Sequence, residues 1–134
     1  MPLTPDTYIA NGGPMLRMNG KHDVTPLQDG LVRATQPIQY YGFAAKRNPR
    51  TFAGTTADGR LVLITADGRS TASLGLSITE EADVAQSRGL TDAVNLAGGG
   101  SATMVVDGKV VNAPSDAAGE RPVGDALLIE PRRR

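Results

Sequence analysis

The residues best suited to chemistry are Asn95-Leu96-Ala97-Gly98-Gly99-Gly100-Ser101-Ala102-Thr103. Three consecutive glycines carry no β-carbons, so the main chain can approach a ligand closely and aim several N–H groups at one anion. A phosphate, sulfate or carboxylate suits such a cradle, and Ser101 and Thr103 add hydroxyls on its exit side. The run is not a P-loop, because no Gly-Lys-Ser/Thr follows. Nor is it a dinucleotide fingerprint, because no helical pattern opens behind it. A tight, ligand-free connection between two strands would use the same glycines, and on the residues alone both readings stand.

The elements that hold this run are short. Asn19-Gly20, Asp58-Gly59 and Asp107-Gly108 each separate apolar runs, and such pairs accept the positive φ angles of tight hairpins. The spacing predicts hairpins over 15–24, 51–65 and 102–112, the first with a polar second arm. Asp67-Gly68 reads as a further turn. The near-repeat of Ala57-Asp58-Gly59-Arg60 in Ala66-Asp67-Gly68-Arg69 is too short in period for a solenoid. One segment reads as a helix, over 78–88: Ser77 and Glu80 form a capping box, Ile78, Ala82 and Ala85 share a face, and Gly89 ends it. Asp92 to Leu96 reads as a buried strand leading into the glycines.

Composition sets the outer limits. The chain has 134 residues, the size of one domain, with 40% apolar and 21% charged residues, enough to build a core. Sixteen glycines and nine prolines favour strands and turns over long helices. The expected class is therefore α+β: a mixed, mostly antiparallel sheet with hairpins and one or two short helices. Fourteen basic and fourteen acidic residues cancel, which argues against nucleic acid or an anionic membrane as partner. There is no cysteine, hence no disulfide, thiolate nucleophile or cysteine-ligated metal. His22 is the single histidine; it cannot build a multi-histidine metal site and is expected in an exposed loop. No run approaches the length of a membrane span, and Met1 to Asp6 lacks the pattern of a secretion signal.

In order and rough spacing, the chain resembles the phosphodiester glycosidase family. The resemblance is carried by Asn48-Pro49-Arg50-Thr51, Thr56-Ala57-Asp58-Gly59-Arg60-Leu61, Ala66-Asp67-Gly68-Arg69, the glycine run and Glu120-Arg121-Pro122-Val123. It extends from about Ile9 to Ile129, and Asn11-Gly12-Gly13-Pro14-Met15-Leu16 is similar to the lead-in of a family strand. Two departures stand out. The family carries an aspartate directly before the three glycines, where this chain has Ala97. An Asn-Gly-Gly-Phe-Phe-like motif of the family's N-terminal part is missing, so residues 1–134 are expected to form one N-terminally incomplete domain.

The resemblance implies hydrolysis of a sugar C1–O–phosphate bond in a glycosyl-phosphate diester, or binding of a sugar phosphate or polysaccharide, as in bacterial relatives associated with exopolysaccharide. Such a bond breaks with positive charge growing on the sugar and negative charge on the leaving phosphate. Carboxylates near one and guanidinium or amide donors near the other are the natural partners. Asp67, Asp116 and Glu120 are the catalytic candidates, with acid and nucleophile unassigned among them. Arg50 is the first choice for a phosphate clamp, its planar fork matching two oxygens. Arg69, Arg121, Asn95, Gly98, Gly99, Gly100, Ser101 and Thr103 complete the candidate binding set. No metal-ligand set is assigned, although a divalent cation is compatible with the chemistry, and the family suggests work outside the cytoplasm. Three readings follow: a glycosidase, impaired or not by Ala97; a non-catalytic binder; and a half-domain that needs a partner chain or second copy.

Overall fold

A computed structural model describes residues 4, 5 and 7–130. Its strands are β1 (Met15–Met18), β2 (Lys21–His22), β3 (Arg50–Thr56), β4 (Leu61–Ala66), β5 (Leu90–Gly98), β6 (Val105–Val106) and β7 (Lys109–Val110). Its helices are α1 (Pro37–Tyr40), which runs into a π-helical turn at Tyr41–Ala45, and α2 (Ile78–Ser87). A five-stranded sheet has the order β2-β1-β5-β3-β4, with every neighbouring pair antiparallel, and β6-β7 form a separate ribbon. The fold is α+β and mostly antiparallel.

The turn chemistry explains the hairpins. Asn19 and Gly20 (φ 51° and 76°) join β1 to β2, and Asp107 and Gly108 (φ 49° and 74°) join β6 to β7. Both central residues are left-handed, which matches the twist of the strands they connect. Between β3 and β4 the loop is longer, and there Gly59 alone takes positive φ. His22 corrects the expectation of a loop residue: it is exposed, but it pairs with Arg17 in edge strand β2. The polar second arm of that hairpin is polar because it faces solvent at the sheet edge.

The α2 helix begins as its sequence dictates. Ser77 accepts from the Glu80 amide at 3.2 Å, and the Glu80 carboxylate accepts from the Ser77 amide at 2.9 Å. Ile78, Ala82 and Ala85 are buried against Leu16, Phe52, Leu90 and Ala93. Because β4 and β5 both run antiparallel to β3, α2 is the crossover between two parallel strands and covers one face of the sheet. The α1 helix and its π turn were not legible in the sequence: they bury Ala44 alone, so no apolar stripe announces them.

Glu81 and Arg50 form an ionisable pair inside this core. Glu81 on α2 is fully buried, and both its carboxylate oxygens lack a hydrogen-bond partner. The Arg50 guanidinium lies 3.8 Å away, but burial outweighs that attraction and pushes the Glu81 carboxyl up to about 8. Glu81 is therefore mostly neutral at pH 7, where an unpaired buried anion would be costly. The folded state holds this proton more tightly than the unfolded chain. Its stabilising effect is full below about pH 4.5 and is lost as pH rises toward about 8. Urea midpoints should accordingly fall between about pH 5 and 8. Glu81→Gln, which has no proton to lose, should flatten that slope.

Candidate active site

β5 delivers the glycine run. Its last residue, Gly98, pairs with Arg50 of β3, and a 3₁₀ turn follows at Gly99–Ser101. The Gly99 amide donates to Pro49 O at 2.9 Å, and Ala102 closes the turn by donating to Gly99 O at 3.1 Å. The Gly100 and Ser101 amides have no backbone acceptor outside the turn, and Gly100 is buried with the Asp116 carboxylate packed against it. Two adjacent donors are thus left for another acceptor.

The missing side chains in this turn are occupied space. A β-carbon on Gly100 would stand inside the Asp116 carboxylate. One on Gly99, whose φ is +60°, would stand 3.1 Å from Arg69 Nη2. The glycines therefore admit a carboxylate on one side and a guanidinium on the other. Arg121 reaches the same turn, donating from Nε (3.2 Å) and Nη2 (2.6 Å) to Ser101 Oγ and from Nη1 (3.4 Å) to Asp116. Arg69, Gly98, Gly99, Gly100, Ser101, Asp116 and Arg121 form one cluster.

The other candidates stand around it in different roles. Asp67, at the end of β4, accepts at Oδ1 from Asn112 Nδ2 (3.1 Å) and from the Ala113 amide (2.9 Å). Asn112 in turn donates to Ala102 O (2.8 Å) and accepts from the Met104 amide (2.7 Å). This carboxylate clasps the segment that carries Asp116. Asn95 is buried, with Nδ2 donating to Gly13 O (2.7 Å) and Leu96 O (3.1 Å), while Oδ1 is buried without a partner. Thr103 is half-buried two residues past Ser101; Glu120 is exposed beside Arg121; Ala97 is exposed just before the turn.

Arg50 is not placed to meet a ligand from solvent. It is 2% exposed, and its guanidinium donates to Leu76 O at 2.9 Å and to the carbonyls of Phe43 and Lys46, over the Phe43 ring. The clamp expected there passes, in the proposal below, to Arg69 and Arg121. Asn48 is a participant that sequence reasoning did not single out. Its Oδ1 accepts from Arg69 Nη2 (3.1 Å), and its Nδ2 donates to Gly42 O and Lys46 O. Its place in Asn48-Pro49-Arg50-Thr51 was the available signal. Arg17, also missed, is buried and donates to Leu90 O (2.9 Å) and Gln86 Oε1 (3.1 Å), tying β1 to the end of α2. Among the described residues, no group of three or more His, Cys, Asp or Glu stands together to hold a metal. No described helix is long and apolar enough to cross a membrane.

A small α+β domain whose glycine turn gathers two arginines and an aspartate has clear relatives. Over residues 4–130 the chain matches the phosphodiester glycosidase family, and it belongs to that family. It is 42% identical over 103 residues to the SPbeta prophage-derived protein YomE of Bacillus subtilis, spanning 77% of this chain and 16% of that one. It is 42% identical over 113 residues to human N-acetylglucosamine-1-phosphodiester alpha-N-acetylglucosaminidase, spanning 84% of this chain and 22% of the relative. The solved catalytic domain of the zebrafish enzyme of that name, auto-inhibited by pro-peptide, superposes with a TM-score of 0.67 at 26% identity. That match covers 84% of this chain and 36% of the zebrafish chain. A Burkholderia pseudomallei structure, of a protein described as a candidate for export, gives a TM-score of 0.62 at 56% identity, covering 63% of this chain and 16% of that one. The chain thus spans less than a quarter of the curated relatives' length.

If Asp67 is a clasp, its removal should loosen the segment it holds before it unfolds the sheet. In Asp67→Ala, amide hydrogen exchange should accelerate at least tenfold at Ala113 and Met104 while the β3 and β5 amides keep their protection.

Proposed function

We propose that the turn at Gly98–Ser101 binds the phosphate of a glycosyl-phosphate diester, and that the site belongs to a hydrolase of the sugar C1–O–phosphate bond. The observation that carries this reading is the convergence of Arg69, Arg121 and two amides without a backbone acceptor on a turn against which Asp116 also rests. Two guanidiniums and paired N–H groups match a phosphodiester in charge and in donor geometry. Asp116, packed on Gly100 and paired with Arg121, is the carboxylate we assign to the sugar side of the same ligand. In the reaction water adds at C1 and the C1–O bond breaks. The phosphomonoester leaves with the bond's electron pair, and the donors around the turn stabilise its growing negative charge. That leaving group is already acidic, so the demand on a general acid is modest. The relatives' name specifies an N-acetylglucosamine-1-phosphodiester, which makes that the first substrate to try. Family analogy supports work outside the cytoplasm, and the Burkholderia relative is described as a candidate for export.

Ala97 favours a second reading, a relative that binds the sugar phosphate without turning it over, because the family's acid is lacking at the mouth of the turn. An N-acetylglucosamine-1-phosphate methyl diester separates the two. Calorimetry should detect binding, lost on Gly100→Ala because the new β-carbon displaces Asp116, and release of free sugar should be scored alongside. Turnover by the natural chain supports the hydrolase, and turnover gained only by Ala97→Asp supports a binder that has lost its acid. Absence of binding in both natural and Ala97→Asp chains overturns the site.

A further inference from the structure

The sheet ends at β4, and among the described residues no strand pairs with its outer edge. Such an edge presents a row of free N–H and C=O groups and invites another strand. Beside it runs an open apolar groove of about 520 Å³, lined by Ile64 and Thr65 of β4, Leu76, Val84 and Arg88 from the α2 side, and Met104. Val62, Ile64, Leu76 and Val84 are only partly buried where they pack against the hydrophobic cluster along this groove.

The same chain carries an exposed apolar run. Ala126-Leu127-Leu128-Ile129 is an apolar run free of glycine and proline, bounded by Gly124-Asp125 and Glu130-Pro131. Leu127, Leu128 and Ile129 are 52%, 81% and 73% exposed. Three adjacent large apolar side chains this open to water are a liability unless something covers them. Arg121 is held to Ser101 and Asp116, and the run follows it by way of Pro122 and Gly124. Asp125 and Glu130 flank it and Arg88 lines the groove, giving opposite charges to the two surfaces. The chain's net charge is zero, so two copies do not repel each other over distance.

We propose that the β4 edge receives the Ala126–Ile129 run of a second copy as an added strand, in a two-fold dimer formed by reciprocal exchange. Edge and run lie on one chain, so a single two-fold rotation pairs the β4 edge of both copies. The proposal does not depend on what the glycine turn binds.

Since the chain has no cysteine, the pairing can be trapped. Mixing singly substituted Thr65→Cys and Leu128→Cys chains under mild oxidation should yield a disulfide-linked heterodimer. Lys21→Cys, at the opposite sheet edge, should not replace Thr65→Cys in that pairing. Sedimentation equilibrium should show a dimer that Leu127→Lys/Ile129→Lys weakens at least tenfold, with far-ultraviolet circular dichroism unchanged because both side chains are already exposed. A chain that is monomeric over roughly a hundredfold range of concentration overturns the proposal, as does a dimer indifferent to the two lysines. A disulfide that forms within one Thr65→Cys/Leu128→Cys chain, and not between chains, also overturns it, because the run would then close onto its own edge.

Discussion

Everything near the glycine turn depends on a cation kept out of water. Arg50 lies on the helix-covered face of β3, where its Nε donates to Leu76 O and its Nη2 to the carbonyls of Phe43 and Lys46. Those carbonyls belong to the loop that enters α2 and to the π-helical turn with its exit, segments that bury little apolar surface in the core, Ala44 fully and Leu76 in part. A charged donor satisfying several buried acceptors replaces the core they lack. Its charge is lowered in affinity for its own proton by desolvation first, with Glu81 acting in the opposite sense. The neutral form of Glu81 lets the pair persist without an ionic lock, so the core tolerates the guanidinium through its hydrogen bonds.

Much of the scaffold could be read from the residues because it rests on local rules. Asn19-Gly20 and Asp107-Gly108 adopt the φ angles their types favour, and the Ser77–Glu80 box sits at the helix start its spacing predicts. What escaped was whatever depends on contacts distant in sequence. Nothing around Arg50 reveals that a fork suited to phosphate would turn inward, since that is decided by carbonyls at 43, 46 and 76. Nothing around Asp67 reveals a clasp, since its partners lie at 112 and 113. The α1 turn escaped for the complementary reason that it buries almost nothing. Pattern reports which face is apolar and is silent on which polar groups will meet.

The second Asp-Gly-Arg turn shows how a local signal can mislead in detail while holding in outline. Gly68 does not take the left-handed conformation; a β-carbon there would stand 2.7 Å from Pro49 N, so the residue is small for close approach. Arg69 takes the positive φ instead, at 59°. From there its side chain meets Asn48 and lies over Gly99, joining the Asn48–Thr51 motif to the glycine run physically. The cluster at the turn is therefore assembled from three stretches: the 48–50 strand entry, the 67–69 turn and the 112–121 loop.

That left-handed arginine has a consequence for the chain's composition. A branched or long residue held at φ 59° carries a backbone penalty of about 1–2 kcal/mol, which glycine or, in part, asparagine would avoid. A sequence optimised for folding alone would place one of those two at position 69. Keeping a guanidinium there sets aside some conformational ease for charge beside the triple glycine, so the most strained long side chain in the described backbone is also the one that gives the turn its positive flank.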